Sequence, residues 1–197
     1  MNDNTELLEQ ARNQIRAEGE VIVEVADQLD ENFVNLIYWV SQCEGQVLIT
    51  GSGTSGGIGR RLAHLLATCS IRSFFIHPAD ALHGPSAIVS NKDILIVISK
   101  AGKSSDINQF VKIAKERGAK IASLTWETDS PLAAMSDLII IVRTGEKGEG
   151  EGVLPFGSSL ANGAVGDALC LLVRRMCGFE LSELKQTHPS GATADLV

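Results

Sequence analysis

The sequence has no excess of basic residues and no long apolar run. Its 17 Lys and Arg are outnumbered by 24 Asp and Glu, which gives a formal net charge of −7. A nucleic-acid partner selects a basic face, and an anionic membrane surface does the same, so the charge argues against both. No apolar run approaches the length of a membrane span, and the first residues do not resemble a signal peptide.

Cysteines are few and scattered. None of the four lies in a Cys-x-x-Cys pair, and no histidine-rich tract accompanies them, so a structural zinc site is not expected. Cys170 and Cys177 are seven residues apart in a helical pattern, and we expect them to be buried apolar side chains. Free thiols are typical of a reducing compartment, so we expect a cytoplasmic protein.

Residues 1–44 have the pattern of a helical arm. Apolar side chains recur there at roughly heptad spacing, at Ile15, Ile22, Leu29 and Phe33. Gly19 is expected to divide the arm into two helices. We expect the arm to belong to the same domain as residues 45–197 and either to pack on its sheet or to build a subunit interface.

Beyond the arm, short apolar runs alternate with helical patterns. Strands are predicted at Gln46–Thr50, Ser73–His77, Ile94–Ser99, Lys120–Thr125 and Asp137–Val142. Helices are predicted at Ile58–Thr68, Ser105–Arg117 and Pro131–Met135. The runs are almost continuously apolar, which is typical of parallel strands covered on both faces. The pattern predicts an α/β fold with a doubly wound parallel sheet, in which ligands bind beyond the carboxyl ends of the strands.

A segment rich in glycine and charge, residues 143–155, follows the fifth predicted strand. Its composition predicts a mobile loop. Glu149 and Glu151 are candidate proton-transferring acids within it, although a solvated loop would explain them equally well. A long helix should then begin at a Ser158 or Ser159 cap and run to about Cys177.

The segment Gly51–Gly56 (Gly-Ser-Gly-Thr-Ser-Gly) joins the first strand to a helix. Glycine allows a tight turn and a close approach of the backbone to a ligand, and the helix start offers free N–H groups and a positive dipole end. These features predict an anion site. The segment also matches the dinucleotide fingerprint, but His77 stands where that site needs an acid, so a nucleotide-binding Rossmann protein is the weakest alternative.

A second turn rich in hydroxyl groups, residues 99–105, follows the third strand. Hydroxyls that can donate to one phosphate between two helix starts belong to Thr54, Ser55, Ser99 and Ser104. Lys100 adds a positive charge. Ordinary helix capping would explain one such corner, whereas two adjacent corners favour a sugar-phosphate site.

Several segments together resemble the SIS (sugar isomerase) domain, and within it the arabinose-5-phosphate isomerases most closely. These segments are Gly51–Gly59, His77–Gly84, Ile98–Ser104, Gly166–Leu169 and Thr187–Ala192. The resemblance runs from about residue 40 to the C-terminus. It implies a five-stranded flavodoxin-like sheet, a homotetramer, no organic cofactor, and aldose–ketose isomerisation of a phosphosugar through an enediol. Larger family members add two cystathionine-β-synthase-type modules, which we do not expect here.

The resemblance also implies roles for individual residues. Those implied to bind phosphate are Ser55, Ser99 and Ser104, with Gly53, Thr54 and Lys100 beside them. The two family histidines fall on His83 and His188. His188 would reach into a neighbouring subunit's site and is our first choice as the base, because histidine titrates near neutral pH. His83 would orient a sugar hydroxyl, and no metal ligand is assigned.

Four positions depart from the arabinose-5-phosphate isomerases. They are Thr54 (lysine in those enzymes), Ala101 (often serine), Asp106 (glutamate) and Lys147 (glutamate). A small loop shift would let Glu146, Glu149 or Glu151 supply the last of these carboxylates. The binding scaffold therefore carries over better than the chemistry. The alternative to a sugar-phosphate isomerase is a non-catalytic sugar-phosphate-binding protein, a sensor, although no DNA-binding motif accompanies it.

Overall fold

The computed structural model describes residues 3–187, and these form one parallel sheet with helices on both faces. The strands are β1 (Val47–Gly51), β2 (Ser73–Phe75), β3 (Ile94–Ile98), β4 (Lys120–Thr125) and β5 (Leu138–Ile141). Their order is β2-β1-β3-β4-β5, and every neighbouring pair is parallel. This arrangement confirms the predicted doubly wound, five-stranded, flavodoxin-like sheet.

The helices connect and cover the strands. They are α1 (Asp3–Ala26), α2 (Glu31–Ser41), α3 (Gly53–Thr68), α4 (Pro78–Ala81), α5 (Ser105–Glu116), α6 (Pro131–Met135), α7 (Gly157–Met176) and α8 (Leu184–Thr187). Short 3₁₀ turns occur at Pro85–Ile88 and Leu181–Glu183. No helix within residues 3–187 combines the length and the apolar character needed to cross a bilayer.

The helical arm breaks at a different place from the one predicted. α1 runs through Gly19 without interruption, and the break lies at residues 27–30. There the Asp30 side chain accepts a hydrogen bond from the backbone N–H of Asn32 at 2.9 Å and so caps α2. A single glycine does not end α1, because tertiary packing of Val21 and Val25 holds the helix together.

Two apolar cores lie on opposite faces of the sheet. One contains Ile49 and Ile96 and is covered by α1, α2, α3 and α7. The other contains Leu48 and Leu95 and is covered mainly by α5 and α6. Successive strand residues thus point to opposite faces, and both faces are buried. The arm packs back onto the domain through Val21, Val25, Phe33, Leu36 and Val40.

The two cysteines near the end of α7 differ in their surroundings. Cys170 is buried, as predicted, and its Sγ lies 3.7 Å from that of Cys69. Cys177 is exposed, so the expectation of burial is wrong there. Cys177 is the C-cap of α7, and at that point the helix has passed the apolar core.

Candidate active site

The two hydroxyl-bearing corners meet at the point where the strand order reverses. β1 has β2 on one side and β3 on the other, and Gly51 at the end of β1 pairs with Ile98 at the end of β3. The chain then leaves β1 through Ser52 and leaves β3 through Ser99. Ligand crevices of doubly wound sheets form at this position, so the topology brings the two predicted corners together.

The helices that begin at these corners have unused N-termini. Ser52 and Ser104 are the N-cap residues of α3 and α5, and neither side chain makes a capping hydrogen bond. In contrast, the side chains of Asp30 and Ser130 do cap α2 and α6. The first N–H groups of a helix need a cap, water or a ligand, so capping does not account for these serines. The free N–H groups suit an anion.

The glycines of the first corner are required by close backbone packing. A Cβ at Gly51 would lie 3.0 Å from the Ile98 carbonyl oxygen, and one at Gly56 would lie 2.8 Å from the Gly51 carbonyl oxygen. Gly53 has a φ of +59°, a conformation that favours glycine. α3 starts at Gly53, ahead of the predicted Ile58. This packing explains the glycine spacing without a dinucleotide.

A small cavity of about 30 Å³ lies between the corners and the start of α7. Its walls are Thr54, Ser55, Ile58, Ile98, Lys100, Pro155, Ser158, Ser159 and Asn162. A larger groove of about 430 Å³ shares Thr54, Ile58, Pro155 and Ser159 with it and adds Glu18, Gly57, Phe156 and Leu160. The cavity therefore joins Thr54, Ser55 and Lys100, as expected, to the start of α7.

The start of α7 supplies polar groups that the sequence did not identify as part of the site. The N-cap of α7 is Phe156, not Ser158 or Ser159 as predicted. Those two serines therefore line the cavity instead of capping the helix. Asn162, which is buried, donates to the Ser158 carbonyl at 2.7 Å. A clue was available in Ser158, Ser159 and Asn162, which place polar groups at helical spacing within an otherwise apolar and small-residue stretch.

Glu149 lies behind this cavity and is almost fully buried, with its side chain only 1% exposed. Its Oε1 accepts hydrogen bonds from Lys100 Nζ at 3.1 Å, the Ser158 N–H at 3.2 Å and Thr144 Oγ1 at 3.4 Å. Its Oε2 is buried with no hydrogen-bond partner among the described residues. The expectation of a solvated loop is therefore wrong at Glu149, because the loop folds this side chain inward.

The environment of Glu149 keeps its carboxyl group ionised. Burial raises the pKa of Glu149, but the hydrogen bonds from Ser158 and Lys100 and the Lys100 charge outweigh burial and hold the pKa below its ordinary value. The carboxylate is thus deprotonated at neutral pH while one of its oxygens remains unpaired. This combination is the one required of a general base.

Other predicted residues lie further from the cavity. Ser99 is buried at the end of β3 and Ser104 is half-buried at the start of α5, and neither forms part of the cavity wall. His83 is exposed in the turn after α4. Glu151 is exposed, with a φ of +50°. His188 lies outside the described residues.

The charged positions of the loop divide into surface and interior groups. Lys147, where the family pattern without gaps would place a glutamate, is exposed and pairs with Glu20 on α1. Of the loop carboxylates considered for that role, Glu149 is the one in contact with the cavity residues Lys100 and Ser158. Among residues 3–187, no group of three or more His, Cys, Asp or Glu side chains is placed to hold a metal ion.

Comparison with known proteins identifies the class that this fold and site define. The family model of the SIS domain matches residues 41–172, more than half of the sequence. The chain therefore belongs to the SIS domain family. Arabinose 5-phosphate isomerase KdsD from Escherichia coli (strain K12) is 31% identical to it over 185 residues, which is 93% of this chain and 56% of that protein. The chain thus spans about half the length of the curated relatives it matches.

Solved structures agree with this assignment. The structure of the E. coli CFT073 protein c3406, determined in complex with a sugar phosphate, has a TM-score of 0.90 and 31% sequence identity, and covers 96% of this chain and 100% of that chain. A putative sugar-phosphate isomerase from Listeria monocytogenes has a TM-score of 0.91 at 24% identity, with 95% of this chain and 99% of that chain covered. The second similarity supports the fold alone.

Proposed function

We propose that this protein is a sugar-phosphate isomerase that interconverts an aldose phosphate and a ketose phosphate through an enediol, as arabinose-5-phosphate isomerases do. The observation that carries the proposal is the buried, ionised Glu149, which contacts two residues of the cavity at the switch point. A protein that only binds a phosphosugar needs the corners. It does not need an ionised carboxylate with an unpaired oxygen behind them.

The phosphate would bind at the two corners. The free N–H groups at the starts of α3 and α5, with the hydroxyls of Thr54 and Ser55, would hold its oxygens. Ser99 and Ser104 belong to the same corner system, and the backbone of Gly53 allows close approach. Lys100 contributes the positive charge nearest to the carboxylate, and its backbone is fixed by hydrogen bonds from Thr125 Oγ1 and the Trp126 N–H to its carbonyl.

Isomerisation then needs two proton movements. A base removes the proton from the carbon next to the carbonyl, which leaves an enediol, and the same proton is returned to the neighbouring carbon. We assign this base to Glu149 and not to His188, since the carboxylate is ionised and one oxygen is unpaired. A second group must move a proton between the two enediol oxygens, and we assign it to His188 of a neighbouring subunit in a homotetramer. His83 would orient a hydroxyl.

Solvent exchange tests the proposal. The protein is incubated in D₂O with a panel of pentose and hexose phosphates, and deuterium at C2 is followed by NMR. We expect exchange with a substrate of this class, and we expect Glu149→Gln to abolish exchange while phosphosugar binding is retained. Binding without exchange across the whole panel would contradict the enzyme and favour the sensor. Glu151→Gln, at an exposed position two residues away, is the matched control.

A further inference from the structure

The loop that carries Glu149 is fastened to the first helix of the chain. Gln28, just after α1, makes two hydrogen bonds to the backbone of Arg143: its Nε2 donates to the Arg143 carbonyl at 2.7 Å and its Oε1 accepts from the Arg143 N–H at 2.9 Å. Lys147 forms an ion pair with Glu20. The start of the loop is therefore tied to the arm on the amino-terminal side of Glu149.

The fastening is tightest at Gly148, the residue directly before Glu149. Its carbonyl accepts hydrogen bonds from Gln14 Nε2 at 3.2 Å and from the Gly157 N–H at 3.0 Å. A Cβ added at Gly148 would lie 2.7 Å from Val21 Cγ2 on α1. Since the Gly148 carbonyl belongs to the peptide plane that leads into Glu149, these contacts fix the direction in which Glu149 leaves the backbone.

We propose that α1 and the residues following it position the Glu149 carboxylate, with Gln14, Val21 and Gln28 as positioning residues. Between β5 and α7 the chain has only turns and one isolated bridge, Gly150 to Leu154, so regular structure of its own does not hold the loop in place. The effect on catalysis rests on the proposed function, whereas the effect on the state of Glu149 does not.

Gly148→Ala tests the contact directly. The new methyl group meets Val21 and must move the loop away from α1. A displacement on the order of 1 Å at a catalytic group can cost up to ~100-fold in rate, so we expect kcat to fall by roughly 10- to 100-fold. KM should change little, because the corners are untouched. Adding Val21→Ala removes the obstructing Cγ2, and we expect it to restore most of kcat.

Two controls separate positioning from general stability. Gly19→Ala places a methyl group on the same helix, where nothing lies within 4 Å, and kcat should remain that of the parent. For the polar contacts, Gln28→Ala should lower kcat, whereas Gln10→Ala should not, since Gln10 is exposed and its side chain bonds Glu6 on the same helix. Thermal unfolding of each variant shows whether it is folded at the assay temperature.

A readout independent of turnover is the titration of the Glu149 carboxyl carbon by ¹³C NMR, assigned by comparison with Glu149→Gln. In Gly148→Ala the carboxylate loses its contacts with Lys100 and Ser158, so its pKa should rise, and Val21→Ala should reverse the rise. An unchanged titration and unchanged kcat in folded Gly148→Ala would overturn the positioning role. A titration that responds in a protein with no turnover on any phosphosugar would retain the positioning role and reject the proposed function.

Discussion

The two parts of the site differ in how far along the sequence their components lie. The serine corners are continuous segments that directly follow β1 and β3, and the register of the sheet alone brings them together. The Glu149 loop takes its shape from α1, and the hydrogen bonds between Gln28 and Arg143 join residues 115 positions apart. The proposed binding function thus resides in local segments, while the proposed chemistry depends on distant ones. Substitutions should separate the two.

The largest effect should come from Glu149→Gln. The amide preserves shape but removes the negative charge that accepts a proton. A positioned base typically contributes about 10²–10⁴-fold, so we expect kcat to fall by about that factor while the Kd for the phosphosugar changes little. Steady-state kinetics and calorimetric binding measure the two separately. An equal loss of affinity would show that the loop and the corners cannot be separated as proposed.

The opposite result is expected at the corners. Hydrogen bonds to charged groups contribute about 1.5–3 kcal/mol each, so Ser55→Ala should weaken phosphosugar binding roughly 10- to 150-fold. Calorimetric titration provides the Kd. Ser105→Ala is a suitable control, because Ser105 is exposed and its hydroxyl accepts from Gln109 on the same helix. Normal affinity in Ser55→Ala would remove the first corner from the phosphate site.

Lys100 belongs to both parts, and Lys100→Met should change the pH dependence. In the parent the Glu149 pKa is lowered, so the ionised carboxylate stabilises the fold above its ordinary pKa, and that contribution is lost as pH falls through the lower folded value. Without Lys100, burial gains weight and the pKa rises. The acidic limb of the kcat/KM profile should therefore move to higher pH. Lys103→Met, at an exposed position of the same corner, should leave the limb in place.

The smallest effect is expected from Arg61→Ala. Arg61 on α3 and Asp167 on α7 form a two-pronged ion pair, with Nη1–Oδ1 at 2.5 Å and Nη2–Oδ2 at 3.0 Å. The pair joins the helices that begin at the two parts of the site, but both side chains are about half exposed. Such pairs contribute about 0–1 kcal/mol. Urea unfolding should detect a loss no larger than that, with unchanged kcat and KM.

The sequence predicted well the features that depend on neighbouring residues. The apolar runs marked all five strands to within about two residues at each end, and the corners were recognised from Gly51–Gly56 and Ser99–Ser104. Features that depend on tertiary contacts were missed. Burial of Glu149 requires Lys100 and Ser158 from other elements, and nothing in a segment rich in glycine and charge distinguishes one inward glutamate from its exposed neighbours. The same holds for Gly19, whose helix persists because distant residues pack on it.

The fastening of α1 to the Glu149 loop also has a consequence for biosynthesis. On the ribosome α1 is made first, and Arg143 follows Gln28 by 115 residues. At translation rates of about 5–20 residues per second, that interval is roughly 6 to 23 s. During this time Val21 and Val25, which are 1% and 2% exposed in the folded protein, have no α7 to cover them. The helix that completes the site last is therefore the first apolar surface that the nascent chain must keep from aggregating.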